Sequence, residues 1–310
     1  MVVRCRNPVF LVGCPRSGTT LLQRMLDAHD SMAIASETHF VRRFWLKREN
    51  YGDLATDENY KRLLEDVVGM PEFAEMGVDD ESFRNRARAA ERTYAAVFAA
   101  LLETFAEQHG ASFIGEKTPN HLLHMLTLER FFPDAKYIHI VRDPRAVVNS
   151  WRNVPWSTGN VVGDAFVWRR YMLVARLCPP RRSNSLMVIR FEDLVLRPEP
   201  TLTDVCRFIG ISFQPGMCAF HDKRESAINL SREPWKARAN QPLDANRLGR
   251  WRDELSRLDI ALIESVAGRE MHKYEYTSIC GRFSAVMLKL PVWSREIIRR
   301  LFRRVFRWNT

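Results

Sequence analysis

Residues 13–20 read Gly-Cys-Pro-Arg-Ser-Gly-Thr-Thr and join a short apolar run, Val9 to Gly13, to a stretch in which Leu21, Leu22, Met25 and Leu26 share one helical face. A turn at that place aims successive backbone N–H groups at one point, and the unpaired N–H groups and dipole of the helix start add to them. Arg16, Ser17, Thr19 and Thr20 supply further donors around Gly18, so the turn suits a phosphate or a sulfate. It is not the loop of an ordinary nucleotide kinase. That pattern, G-x-x-x-x-G-K-[ST], needs Lys after the second Gly, whereas here Thr19 follows Gly18 and the cation has moved into the turn as Arg16. A second anion site lies in Lys136-Tyr-Ile-His-Ile-Val-Arg-Asp-Pro-Arg-Ala-Val-Val-Asn-Ser150. Arg142 ends a strand and Ser150 follows about two turns into the next helix, so both can converge on one phosphate. Two such sites on separate βα units suit a ligand that is anionic at both ends.

Glu37, in Ala-Ser-Glu-Thr-His, follows a second short strand, Met32 to Ala35. That puts it at the carboxyl edge of a parallel sheet, where ligands of doubly wound folds bind, and makes it the candidate general base. His39 is the rival base, because its ordinary pKa suits neutral pH; His121 and His124 stand behind it. Lys117, in Glu-Lys-Thr-Pro, follows a third strand that begins at Phe113 and points at the same edge.

The elements that must position these groups alternate. Strands at 9–13, 32–35, from Phe113, from Lys136 and from Leu186 are separated by helical segments, which predicts βαβ units and an α/β, doubly wound parallel sheet of P-loop-like kind. Thr118-Pro119 and Asp143-Pro144 each read as an N-cap followed by proline at the first helical position. Residues 41–110 are charged and helix-rich, with Tyr94, Phe98, Leu101, Leu102 and Phe105 in one stripe and Gly110 as a helix stop. The region after about 212 reads as a less regular flank. The expectation is one catalytic domain over 1–288, with 41–110 as a helical insert, and a basic tail over 289–310.

The run Val-Gly-Cys-Pro-Arg-Ser-Gly-Thr-Thr-Leu-Leu-Gln-Arg-Met-Leu-Asp-Ala-His resembles the 5′-phosphosulfate loop and first helix of sulfotransferases, which use 3′-phosphoadenosine-5′-phosphosulfate (PAPS). Its Arg-containing loop looks most like the tyrosylprotein sulfotransferases and their bacterial relatives. The resemblance implies that Arg142 and Ser150, spaced as strand-Arg-x₇-Ser, hold the 3′-phosphate of the donor. It also implies that Glu37, in a matching Glu-Thr pair, is the base and that Lys117 lies near the bridging oxygen or the sulfate. Phe191, in Phe-Glu-Asp-Leu, is implied as an adenine-stacking aromatic, and Arg250, in Leu-Gly-Arg-Trp-Arg, as part of a late donor-contacting segment. A helpful Ser is implied nearby, with Ser226 and Ser231 both open. The resemblance covers roughly 8–40 and 112–255 and fails over 41–110, where acceptor choice is expected to reside. A homodimer is in keeping with it.

The chain has 310 residues, 46% hydrophobic and 27% charged, which excludes a disordered or low-complexity protein. Six cysteines without a C-x-x-C pair argue against a disulfide framework or a zinc site, and sulfuryl transfer demands no metal. No run of about 18 apolar residues exists, and the start is too short an apolar run for a signal peptide, so a cytoplasmic protein is expected. The net charge of +10 is concentrated: residues 289–310 carry seven basic groups against the single acid Glu296. Ile297, Ile298, Leu301, Phe302, Val305 and Phe306 would form an apolar face opposite an Arg face, suited to lie on an anionic membrane. Nucleic acid is excluded as a partner, since no recognition motif appears and the body before the tail lacks a basic surface in excess. The leading expectation is therefore sulfuryl transfer from PAPS to a hydroxyl or phenol of a peptide tyrosine, glycan or lipid. The alternatives are a P-loop-like kinase using ATP and Mg²⁺ and a non-catalytic nucleotide-binding protein.

Overall fold

The computed structural model describes residues 7–152, 154–222 and 234–281. β1 (Val9–Gly13) is apolar and buried throughout, as a strand covered on both faces requires. α1 (Thr19–Asp27) turns Leu22, Met25 and Leu26 inward, and β2 (Met32–Ala35) follows. The chain then runs through α2 (Phe40–Arg43), α3 (Asp57–Val68), α4 (Pro71–Glu75), α5 (Asp80–Ala89) and α6 (Tyr94–Gln108). The stripe from Tyr94 to Phe105 is buried as the spacing predicts, and Gly110, at φ 61°, turns the chain away from the helix end.

The parallel logic resumes with β3 (Phe113–Lys117), a 3-10 turn over Pro119–His124, α7 (Met125–Phe131) and β4 (Lys136–Val141). α8 (Pro144–Trp151), α9 (Val161–Leu177), β5 (Leu186–Arg190), α10 (Phe191–Leu196) and α11 (Pro198–Ile209) complete the regular part. The five strands are all parallel in the order β2-β3-β1-β4-β5. The chain leaves β1 for one side of the sheet and later crosses to the other, so the carboxyl end of β1 sits where the order reverses. A cleft opens at such a point.

Alternation along β1 feeds two cores. Phe10 and Val12 face a cluster that includes Phe98 and Tyr137, with Phe10 stacked on Tyr137 at 5.7 Å. Val9 and Leu11 face Leu22, Met25, Leu202 and Val205 on the opposite side. Phe40, next to His39, stacks on Phe98 at 4.3 Å and so ties the start of the 41–110 segment to the first core.

Two local readings are corrected. Asp143 does cap its helix through Arg145 N at 2.9 Å, but Thr118 makes no side-chain cap; its hydroxyl donates to the buried Glu116 instead. The flank beyond 212 is not merely irregular: after short 3-10 turns, one over Pro234–Asn240, it forms α12 (Trp251–Glu254) and the 17-residue α13 (Arg257–Lys273). Trp251, Ile260 and Ile263 from these helices share a third core with Val148 and Ala165. The 289–310 tail, Ser226, Ser231 and Cys5 lie outside the described residues. The other five cysteines are free thiols. Among the described residues no helix is long and apolar enough to cross a membrane.

Candidate active site

The loop after β1 is closed by Ser17 N donating to Cys14 O at 3.1 Å. Arg16 and Gly18 both take left-handed backbone angles, φ 71° and 102°. For Arg16 this is an unfavoured conformation, and its neighbours hold it. Its carbonyl accepts from Arg142 Nη1 at 3.1 Å, its Nε donates to Ser150 Oγ at 3.1 Å, and Trp151 Nε1 donates to Pro15 O at 3.0 Å. At Gly18 a Cβ would lie 2.3 Å from the Phe191 ring, so glycine is required by space as well as by φ. That ring also covers the Arg142 guanidinium at 4.4 Å, a cation–π contact.

The loop has donors to spare. Ser17 Oγ and Arg142 Nε are buried and make no hydrogen bond among the described residues. Burial lowers the pKa of Arg142, with Glu192 and Asp143 opposing it only in part. The N-terminus of α1, beginning at the buried Thr19 and the half-buried Thr20, has no side-chain cap and no acid in its first turn. Orphaned donors of this kind cost about 1–3 kcal/mol each. A multi-oxygen anion fits such a cradle, since it would satisfy all of them together. Arg250 stands apart: it pairs with Glu254, which also accepts from Asn149 Nδ2 at 2.5 Å, one residue before Ser150.

The second cluster is centred on Glu37. Its Oε1 accepts from Lys117 Nζ at 2.6 Å and from Lys236 Nζ at 2.7 Å, while Oε2 lies 3.6 Å from His39 Nε2. Burial favours the protonated acid, but Lys117, Lys236 and His39 outweigh it and hold the carboxyl well below its usual range. Burial lowers the His39 imidazole to about 4 despite Glu37 beside it. At neutral pH the pair is carboxylate and neutral imidazole. His39 also has a left-handed φ of 50°, and its Nδ1 is buried without a partner among the described residues. Burial raises the phenol of Tyr171, from α9, and the Glu37 carboxylate adds to the effect.

Glu116 fixes this arrangement from below. Its Oε1 accepts from Thr38 N at 3.1 Å, Thr38 Oγ1 at 2.9 Å and Thr118 Oγ1, and its Oε2 faces His121 Nδ1 at 2.9 Å. Alternation does the rest. Glu116 and Lys117 are neighbours on β3 and so point to opposite faces, and Lys117, itself buried, meets Glu37 instead. His121 is thus spent on Glu116, and burial lowers His124 to about 4. Sequence reasoning missed both Glu116 and Lys236. Lys236 comes from 199 residues beyond Glu37, and its one available signal is compositional: the chain has only eight lysines, and two of them meet at this carboxylate.

Residues 8–215 match the Sulfotransferase family. Protein-tyrosine sulfotransferase 2 of Gallus gallus is 28% identical over 254 residues, spanning 78% of this chain and 62% of that protein. Protein-tyrosine sulfotransferase 1 of Danio rerio is 27% identical over 253 residues, spanning 78% and 65%. The chain therefore spans a little under two thirds of the length of these relatives. The solved sulfotransferase domain of the Synechococcus PCC 7002 olefin synthase superposes with a TM-score of 0.62 at 23% identity, over 88% of this chain and 96% of that one. Its likeness shows that the fold is the P-loop-like sulfotransferase fold.

Proposed function

This chain belongs to the sulfotransferase family, and we propose that it transfers a sulfuryl group from PAPS to the hydroxyl or phenol of an acceptor. The observation that carries the reading is the meeting of two motifs far apart in sequence: Arg142 bonds the backbone of Arg16, and Arg16 bonds Ser150. A donor with a 5′-phosphosulfate and a 3′-phosphate needs two anion sites side by side. The loop has Arg16 rather than a lysine after Gly18, which disfavours the ATP-dependent kinase.

Bound PAPS supplies an activated sulfuryl group on a good leaving phosphate. Arg142 and Ser150 take the 3′-phosphate, and Phe191 offers its ring to the adenine. Arg16, Ser17, the loop N–H groups, Thr19 and Thr20 hold the 5′ end and neutralise charge that grows on the leaving oxygen, the largest contribution in reactions of this type. Arg250 reaches the 3′ side through Glu254 and Asn149. Lys117 serves the bridging oxygen. Glu37 removes the acceptor proton as the new O–S bond forms and the old one breaks, the electron pair leaving with the bisphosphate. In the resting site two ammonium groups make Glu37 a weak base. Drawing one of them onto the donor raises its proton affinity at the moment it is needed.

The named relatives act on protein tyrosine, so a phenol is the first acceptor to try; sugar and lipid hydroxyls present the same O–H. We assign the 289–310 segment to an anionic membrane surface, to be checked by liposome retention with and without it. Calorimetry without added metal tests the core reading. PAPS and its product adenosine 3′,5′-bisphosphate (PAP) should bind and ATP only weakly; tight Mg-ATP binding with no response to PAP would overturn it. With a phenolic acceptor, Glu37→Gln should cut transfer by about 10²–10⁴-fold while His39→Gln keeps most of it. The reverse result moves the base to His39.

A further inference from the structure

Lys236 sits on a 3-10 turn, Pro234–Asn240, that packs against α1, the helix opened by the anion loop. It is 9% exposed, and its ammonium group shares one carboxylate oxygen with Lys117. One ammonium is enough to neutralise one carboxylate. Two on a single oxygen lie no farther apart than two hydrogen-bond lengths, and they repel each other in a place mostly screened from water. With His39 neutral, Glu37 thus gathers two ammonium groups on one carboxylate oxygen, at the sheet edge that also carries the anion loop.

We infer that Lys236 supplies a second cation for the sulfuryl group, one ammonium staying with Glu37 while the other turns to the sulfuryl oxygens. This rests on the sulfuryl-transfer reading of the site and adds a residue to it from the flank of the chain. A second lysine resolves a conflict in the resting geometry. If Lys117 alone served both Glu37 and the donor, its departure would leave the carboxylate facing an incoming anion with no cation between them. With two lysines the carboxylate stays neutralised while the anion is met.

The two donor-site ligands differ by the group in question, since PAP lacks the sulfuryl group that PAPS carries. Calorimetry of Lys236→Met against both should show PAPS binding weakened roughly tenfold to a hundredfold, with PAP changed less than about twofold. Unchanged PAP affinity also certifies that the variant is folded. Lys236→Arg should recover most of the PAPS affinity, because the positive charge is what counts. The same comparison in a Glu37→Gln background separates two roles. If Lys236 meets the sulfuryl group, Lys236→Met still weakens PAPS there. If Lys236 is only a counter-ion for Glu37, the loss disappears in that background and the inference fails. Equal loss of PAPS and PAP in the single variant also overturns it, since Lys236 would then be bracing the loop. Should the unsubstituted protein bind neither ligand, the sulfuryl-transfer reading itself falls, a result distinct from either of those.

Discussion

Arg142 is held in the fold as a cation that its surroundings disfavour: burial lowers its pKa and its Nε has no partner among the described residues. A side chain kept in that state is retained for what it binds. Arg142→Met should therefore leave the ligand-free protein as stable as before, or more so, because an under-compensated charge is exchanged for apolar volume. PAP affinity should fall by about a hundredfold or more, since charge-assisted bonds to a phosphate are among the strongest a side chain makes. Thermal unfolding together with calorimetry reads both effects. A large drop in melting temperature would instead make Arg142 a structural brace for the Arg16 carbonyl. At this scale the sequence was most readable where the chemistry is local. Arg142 and Ser150 are on one βα unit, and the loop donors lie within five residues. Lys236 was invisible because no spacing rule connects it to Glu37.

At the level of elements, the pairing of β2 with β3 decides whether Glu37 and Lys117 meet. The register sets Ala35 opposite Glu116, and Glu116 then gathers Thr38, Thr118 and His121. Glu116→Ala should cost about 3–5 kcal/mol, the usual loss when one partner of a buried pair is removed. The pH dependence has a definite sign. Burial pushes the Glu116 carboxyl up, but His121, Thr118 and Thr38 outweigh it, and the folded-state pKa lies below 4.5. Its contribution is then complete above that ordinary value and is lost as pH falls through the folded one. Urea unfolding of Glu116→Gln beside the parent should show a stability gap that narrows below pH 4.5. A gap that stays constant would mean the carboxylate charge is irrelevant to the network. The strands were legible from short apolar runs, and Glu-Lys-Thr marked the place. The division of labour within it was not, because the acid that braces the loop and the lysine that meets Glu37 look alike when adjacent in sequence.

Over the whole molecule, the proposed donor site leans on a flank whose regularity the sequence concealed. α13 carries Ile260, Ile263, Ala267 and Met271 inward, but Glu264 and Glu270 are buried on the same helix at 2% and 1% exposure. Two acids in a buried face spoil the apolar period that reveals a helix. Glu264 is also the knot that binds this flank to α8. It accepts from Arg145 Nη1 at 2.7 Å, Ile279 N at 2.9 Å, Cys280 N at 3.0 Å and Ser278 Oγ. Arg145 in turn bonds Asp143 at 2.7 Å and lies over Trp251 at 4.0 Å. Asp143 caps α8, and α8 ends in the turn that holds Ser150 against Arg16. A loss at Glu264 should therefore travel along α8 to the side of the site proposed for the 3′-phosphate. Glu264→Ala is expected to cost about 3–5 kcal/mol of stability and to weaken PAP even at temperatures where the variant is fully folded. Glu37 and its two lysines hang from β2, β3 and the 234–240 turn instead, so the gap between PAPS and PAP affinities should stay as it is. If PAP binds the folded variant as before, α13 packs on α8 without setting its position, and the Arg16–Ser150 side of the site is built independently of that helix.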